Sequence, residues 1–439
     1  MQKAADRIQR SPAEILQDLI RFDTTNPPGN ETACVRHISN LLRAAGFEPV
    51  MLGKTPERQN LVVRIAGTGA APPLLMYGHA DVVSAKDQHW QVPPFEGVID
   101  GGFVWGRGAL DMKGGLAMML AALLRLKQEA ITPPGDIVFA VVCDEEDGGV
   151  YGAKYLTEEH AGLFEGIEYA ISELGGFTLH LCKKRFYPIM ISEKHRCSFE
   201  VTVSGKGGHG SMPVRGGAMA KAARILHKLD TERLPVHITP PVKMTIEALV
   251  KNLPFPARLA FSLLLKPWLT DTILNILGER GRYFDPLLHN TLSATMIHGG
   301  DMLNVIPGEV TLTLDGRILP SLEQADMVRE AESLLGDDAD IKVTYFLPGP
   351  SSVNMGLFDK LAGILKQFDR EAIPIPFVGI GVSDARYFCK LGIQTYGFTP
   401  MMLPEGIEFS RLIHGPDERI PVEALEFGTD CIYRLIGTE

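Results

Sequence analysis

At 439 residues the chain is too long for one ordinary hydrophobic core, so two domains are expected. Its 45% hydrophobic and 22% charged residues are those of a globular protein and exclude a disordered one. A formal charge of −10 argues against nucleic acid as a partner, because phosphate binding calls for a basic face.

The opening stretch MQKAADRIQRSPAEILQDLI reads as an amphipathic helix without the apolar block of a signal peptide. Asn26-Pro27-Pro28-Gly29-Asn30 breaks it, and residues 31–45 resume a helical pattern. Residues 60–65 and 74–77 are short apolar runs on either side of GTGAAPP and read as two strands. Residues 112–128 carry apolar side chains on most faces, the mark of a well-buried helix. The run IVFAVVC that follows Asp136 has the texture of a buried central strand and leads directly into Glu145-Glu146. A helix beginning near Gly152 leads to a weaker strand at 168–172, which ends in Glu173.

From about residue 189 the pattern alternates apolar and polar, as in antiparallel strands with one solvated face. A helix over 218–229, a proline-bearing region and an apolar helical insertion at 253–290 follow. Strands at 291–298 and 309–315, a helix at 321–335 and a strand at 341–346 complete a βαββαβ-like unit. Pro348-Gly349-Pro350 then returns the chain to α/β texture. The longest apolar runs, such as LAMMLAALL at 116–124, fall short of the roughly 20 residues that span a bilayer. The six cysteines have no CxxC spacing and read as the reduced thiols of a cytoplasmic protein.

Three strand-like runs therefore deliver His79 with Asp81, Glu145 with Glu146, and Glu173, each at the run's C-terminal end. Parallel strands alternating with helices place those ends on one edge of one sheet. Asp111, just before a Gly-Gly step, joins the same acidic group. Taken singly, His79 could be a satisfied core histidine, Asp111 a helix cap, Glu145-Glu146 a solvated turn and Glu173 a surface acid. Together they describe carboxylates that repel one another unless cations join them. Histidine with carboxylates suits zinc, and two cations about 3.5–4 Å apart can share one bridging carboxylate. A second histidine is needed, and His414 in LIHGPDERI is the best late candidate.

The motifs HADVV, GRGALDMKGG, DEEDGG, SELGG and HGPDER, in this order and spacing, closely resemble a family of dinuclear zinc hydrolases. That family includes aminoacylase, acetylornithine deacetylase, succinyl-diaminopimelate desuccinylase and carboxypeptidases G and S. The resemblance implies an α/β, mixed-sheet catalytic domain (1–188 and 349–439) interrupted by a ferredoxin-like α+β lid and dimerisation domain (189–348). It implies two divalent metal ions, Zn²⁺ foremost and Co²⁺ or Mn²⁺ as substitutes. His79 and Glu173 would bind one, Glu146 and His414 the other, and Asp111 would bridge them. Asp81 would hold the far nitrogen of His79, and Glu145 would be the general base. His209, in GKGGHGSMP, matches a lid histidine that supports the oxyanion in the active site of a partner subunit, which makes a homodimer the expected assembly. Asn304 and Arg317 match lid residues that grip the substrate, Arg317 by a bidentate contact to a carboxylate. Gly381, Ser383 and Arg386 belong to a loop similar to the one lining the family's substrate site. The expected substrate is an N-acyl amino acid or short peptide, cut at the amide next to its free carboxylate. The SELGG context and the 253–290 insertion are closer to the aminoacylase and carboxypeptidase S branch than to the desuccinylases.

Two rival readings remain. Gly205 to Gly210 spells GxGxxG after a strand, with Asp230 further on, which is a dinucleotide fingerprint and would suit an NAD-dependent dehydrogenase. The preceding strand alternates, and Pro213 delays the helix whose N-terminus would be needed. A non-catalytic, metal-dependent peptide-binding protein would have no use for Glu145.

Overall fold

The computed structural model describes residues 10–350, 352–407 and 409–438, without the side chain of Arg280. The first nine residues of the expected N-terminal helix lie outside this range. The chain divides into two compact units: Met1–Ile191 with Asn354–Phe377 and Ser383–Glu439, and Ser192–Val353 with Val378–Val382.

In the first unit, α1 (Pro12–Ile20) begins with a capping box, in which Ser11 and Glu14 satisfy each other's backbone N–H groups. Helix α2 (Thr32–Ala44) precedes strands β1 (Val50–Thr55), β2 (Arg58–Ile65) and β3 (Leu74–His79). Helix α3 (Lys113–Gln128) is buried along most of its length. Strand β4 (Ile137–Val142) is buried at every position, as its unbroken apolar run requires, and β5 (Tyr169–Ser172) follows. Strand β6 (Lys184–Glu193) is buried from Phe186 onward, so the alternation expected from about residue 189 begins only with the next strand.

The second unit starts with β7 (His195–Ser204) and α4 (Ala218–Thr231). The proline-bearing region is itself helical: α5 (Pro240–Asn252) has two prolines in its first turn, where a missing N–H costs nothing. The helical insertion thus begins before residue 253 and continues through α6 (Ala257–Leu264) and α7 (Pro267–Leu277). Strands β8 (Thr291–His298) and β9 (Glu309–Ile318), helix α8 (Gln324–Leu335) and strand β10 (Asp340–Leu347) close the unit. Its sheet has the order β8-β9-β7-β10 and is antiparallel throughout, which is the ferredoxin-like arrangement. Val201 and Val203 from β7, Leu312 and Leu314 from β9, and Met327 and Ala331 from α8 form its core.

The chain then adds α9 (Phe358–Phe368), β11 (Ala372–Gly379, whose last two residues belong to the second unit), β12 (Gln394–Gly397) and α10 (Val422–Gly437). The large mixed sheet runs β1-β2-β4-β3-β5-β12-β6-β11, with Leu179–Leu181 paired onto β6. Strands β4, β3, β5 and β12 are mutually parallel, so their C-terminal ends share one edge. Among the described residues, no helix is long and apolar enough to cross a membrane.

Candidate metal centre

The parallel strands account for most of the site. His79 ends β3 and pairs in register with Val142, the last residue of β4. Glu145 and Glu146 lie in a short 3₁₀ turn just beyond, and Glu173 directly follows β5. Asp111 stands before α3 without capping it: the cap position is Met112, which makes no side-chain cap bond.

These residues converge. His79 Nε2 lies 3.1 Å from Asp111 Oδ1 and 3.4 Å from Glu173 Oε2. His414 Nε2 lies 3.2 Å from Asp111 Oδ2 and 3.3 Å from Glu146 Oε1. Asp111 therefore turns one oxygen toward each histidine. The ligand atoms of His79, Glu145 and Glu173 lie within 4.8 Å of one another, as do those of His79, Asp111 and Glu146. The closest contacts divide the cluster into a His79–Glu173 side and a His414–Glu146 side, with Asp111 between them.

The electrostatics explain what such a cluster lacks. Burial, with Glu173 nearby, pushes the Glu145 carboxyl well above its ordinary range. Burial also raises Glu146, and raises Glu173 to about 7. Burial acts the same way on Asp111, but hydrogen bonds from His414 and His79 overcome it and hold that carboxyl far below the usual range. Hydrogen bonds to Asp111 and Glu146 raise His414 to about 10, while Glu173 and Asp111 overcome burial to raise His79. Crowded carboxylates thus pull protons onto both imidazoles, where a cation would otherwise balance them. Nitrogen and oxygen donors in this number fit divalent metal ions of the zinc type.

One expected contact differs. The far nitrogen of His79, Nδ1, is hydrogen-bonded at 2.9 Å to the backbone carbonyl of Asp81, while the Asp81 carboxylate stands off at 3.7 Å. That carboxylate is occupied elsewhere, accepting the backbone N–H groups of Glu145 at 3.2 Å and Glu146 at 3.1 Å. The carbonyl of Asp81, two residues past the strand end, lies on the ring itself, which a linear motif does not reveal.

Glu418 is a residue that the sequence reading passed over. Its fully buried carboxylate accepts the backbone N–H of Gly108, Leu110 and Asp111 and pairs with Arg107 at 2.8 Å. Arg107 also donates to the carbonyls of His414 and Gly415. One ion pair thus ties the Asp111 loop to the His414 loop, and its partners were both visible as charges inside quoted motifs. Asp384 lies within the loop of Gly381, Ser383 and Arg386 that resembles the family's substrate-site loop, without a role of its own there. It is buried beside Gly149, where an added Cβ would come within 2.6 Å of its Oδ1, and burial raises it to about 7. Its neighbours Ser383 and Arg386 are buried too, and the Arg386 guanidinium lies 5.1 Å from the Tyr387 ring centre.

The remaining candidates belong to the second unit. His209 is exposed, its Nδ1 held by the Ser211 hydroxyl at 2.7 Å. Asn304 is exposed on the turn whose carbonyl accepts the Gly210 N–H, so the unit brings His209 and Asn304 close together. Arg317, on β9, is clasped by Asp315 through two 3.0 Å bonds. Gly381 lies in the short Val378–Val382 segment of the same unit. The GxGxxG glycines lead into a two-residue strand, Gly208–His209, and the next helix begins only at Ala218. Gly205 does pack against the start of that helix, where an added Cβ would come within 2.3 Å of the Ala218 nitrogen, but the strand before it is antiparallel to both its neighbours, so the parallel βαβ unit of a dinucleotide site is not formed here.

The sequence pattern of "Peptidase family M20/M25/M40" matches residues 75–438. The chain belongs to this peptidase family. It is 30% identical over 375 residues to "Probable carboxypeptidase S-like 2" of Dictyostelium discoideum, covering 83% of this chain and 71% of that protein. It is 29% identical over 381 residues to "N-fatty-acyl-amino acid synthase/hydrolase PM20D1" of Bos taurus, covering 83% and 73%. The solved structure of an M20 family metallo-carboxypeptidase, Sso-CP2 from Sulfolobus solfataricus, shares the fold with a TM-score of 0.72 at 18% identity, covering 97% and 98%. As a member of this family the chain is a metal-dependent amide hydrolase.

Proposed function

We propose that this enzyme hydrolyses an amide bond adjacent to a free carboxylate, in N-acyl amino acids or C-terminal peptide bonds, with two divalent ions, foremost Zn²⁺. The observation that carries this reading is Asp111, whose two carboxylate oxygens face two different histidines. His79 and Glu173 would hold one ion, Glu146 and His414 the other, and Asp111 both. Bound there, the ions would polarise the scissile carbonyl and acidify the attacking water. Glu145 takes the proton from that water and returns it to the leaving amine. Its carboxyl lies beside His79 and Glu173, within reach of a water held between the two sides of the cluster. The names of the relatives, carboxypeptidase S-like and N-fatty-acyl-amino acid hydrolase, support both substrate types.

His209, Asn304, Arg317 and the loop around Gly381, Ser383 and Arg386 are assigned to substrate and oxyanion binding. The second unit is assigned the lid and dimerisation roles. Support for a homodimer comes from β8, an edge strand whose Met296 and Ile297 are each 53% exposed in the single chain. A cytoplasmic location agrees with the lack of disulfides among the described residues.

Dialysis against a chelator should abolish hydrolysis of N-acyl amino acids, and Zn²⁺ or Co²⁺ should restore it. Glu145→Gln should keep the full metal content and lose about 10²–10⁴-fold in kcat. Retention of activity by the metal-free protein, or by the Gln variant, would overturn the mechanism.

A further inference from the structure

The N-terminal loop lies outside every motif named above, yet it is hydrogen-bonded into the end of β3. The Thr24 hydroxyl donates to the Ala80 carbonyl at 2.7 Å, Val82 N–H to the Thr24 carbonyl at 3.1 Å, and Asn26 N–H to the Val82 carbonyl at 2.9 Å. These bonds fix the Asn26 main chain, and its side chain is only 4% exposed. Its amide nitrogen donates to two carboxylates at once, Asp81 Oδ2 at 2.8 Å and Asp144 Oδ1 at 3.1 Å.

The orientation of that amide follows from its neighbours. Asn26 Oδ1 is buried and finds no hydrogen-bond partner among the described residues. An orphaned carbonyl costs about 1–3 kcal/mol, and flipping the amide would set an oxygen against two carboxylate oxygens instead. The surroundings hold three buried acids, Asp81, Asp144 and Glu31, against one arginine, Arg58, which pairs with Glu31 at 2.7 Å and Asp144 at 2.9 Å. A neutral double donor adds a second partner to Asp81 Oδ2, which also accepts the Glu146 N–H, and to Asp144 Oδ1, which also meets Arg58, without introducing a charge beside them.

Asp81 needs its own charge because its carboxylate carries the turn of Glu145 and Glu146 by their N–H groups. We propose that Asn26 is a positioning residue for the catalytic turn: by holding Asp81 and Asp144, it fixes the backbone from which Glu145 and Glu146 project. Asp81 then serves both sides of the centre, orienting His79 through its carbonyl and the two glutamates through its carboxylate. This role rests on the reading of Glu145 as the general base.

The test uses the full-length, metal-loaded enzyme and Asn26→Ala, with Asn26→Ser, which keeps one donor, as the fallback should the first fail to fold. The expected result is a kcat about 10–100-fold lower, KM within about twofold, and metal content unchanged. Asn26→Ala combined with Asp81→Asn should lose no more than Asp81→Asn alone, since one acts through the other. Hydrogen exchange of a peptide spanning residues 143–149 should rise in Asn26→Ala, in both metal-free and metal-loaded protein. Additive losses in the double variant, or a lowered unfolding temperature with unchanged kcat and exchange, would overturn the proposal. If Glu145→Gln stays active, the base assignment fails while the exchange measurement still reports on Asn26.

Discussion

The two units hold most of their functional candidates differently. In the first, His79, Asp111 and Glu173 are buried at strand ends or loop junctions and pair with one another, while His414 is exposed but held by Asp111 and Glu146. In the second, His209 and Asn304 are exposed on turns, and Arg317 is occupied by Asp315 on its own strand. The difference follows from what each set has to do. Groups that hold cations must be placed before anything binds, because crowded carboxylates are costly to assemble afterwards. Groups that meet a substrate need access, and they can exchange a local partner for the ligand.

The largest test of this contrast is Asp111→Ala. If Asp111 is shared, the variant should lose both metal equivalents, measured by elemental analysis. Its kcat/KM should fall further than the roughly 10⁴-fold that loss of one general base can cost. A variant that kept one equivalent would show that the two sides of the cluster are independent. Arg317→Ala is the counterpart in the second unit. Metal content and kcat should be unchanged, while KM for N-acyl amino acids should rise by about 10–100-fold, the worth of a lost charged hydrogen bond. A fall in kcat with KM unchanged would instead tie Arg317 to the reacting centre.

Legibility in the sequence divides along similar lines. His79, Glu145, Glu146 and Glu173 could be found because buried parallel strands are written as unbroken apolar runs, and the residue after the run falls on the sheet edge. The ferredoxin-like unit was legible from the period-two alternation of β7 and β9. What could not be read were partners joined only by folding. Glu418 reaches Asp111 across 307 positions, and Asn26 reaches Asp144 across 118. Neither residue type is unusual at its own position. The helix at Pro240–Asn252 was hidden for another reason: paired prolines signal a break in the middle of an element and a start at its first turn, and only the three-dimensional structure separates the two.

The smallest effect concerns two histidines, one in each unit, whose titrations should affect stability in opposite directions. His414 is raised to about 10 by Asp111 and Glu146. In the metal-free protein its stabilisation is therefore present below pH about 6.5 and is lost as the pH rises toward 10. His195 opens β7 with 5% exposure, and among the described residues neither ring nitrogen has a hydrogen-bond partner; burial lowers it to about 4. Between about 4 and 6.5 the unfolded chain binds a proton that the folded chain refuses, so stability falls as the pH drops through that window. The limiting size is about 3 kcal/mol, from a shift of about 2.5 units at 1.36 kcal/mol each. His195→Phe removes the titration and keeps a ring beside Gly349, where the native imidazole sits. Urea midpoints measured from pH 4 to 7 on metal-free protein should fall more steeply with acid in the wild type than in His195→Phe. Equal slopes would mean that the site admits a proton or water in the folded state, and the buried, neutral character of His195 would have to be given up.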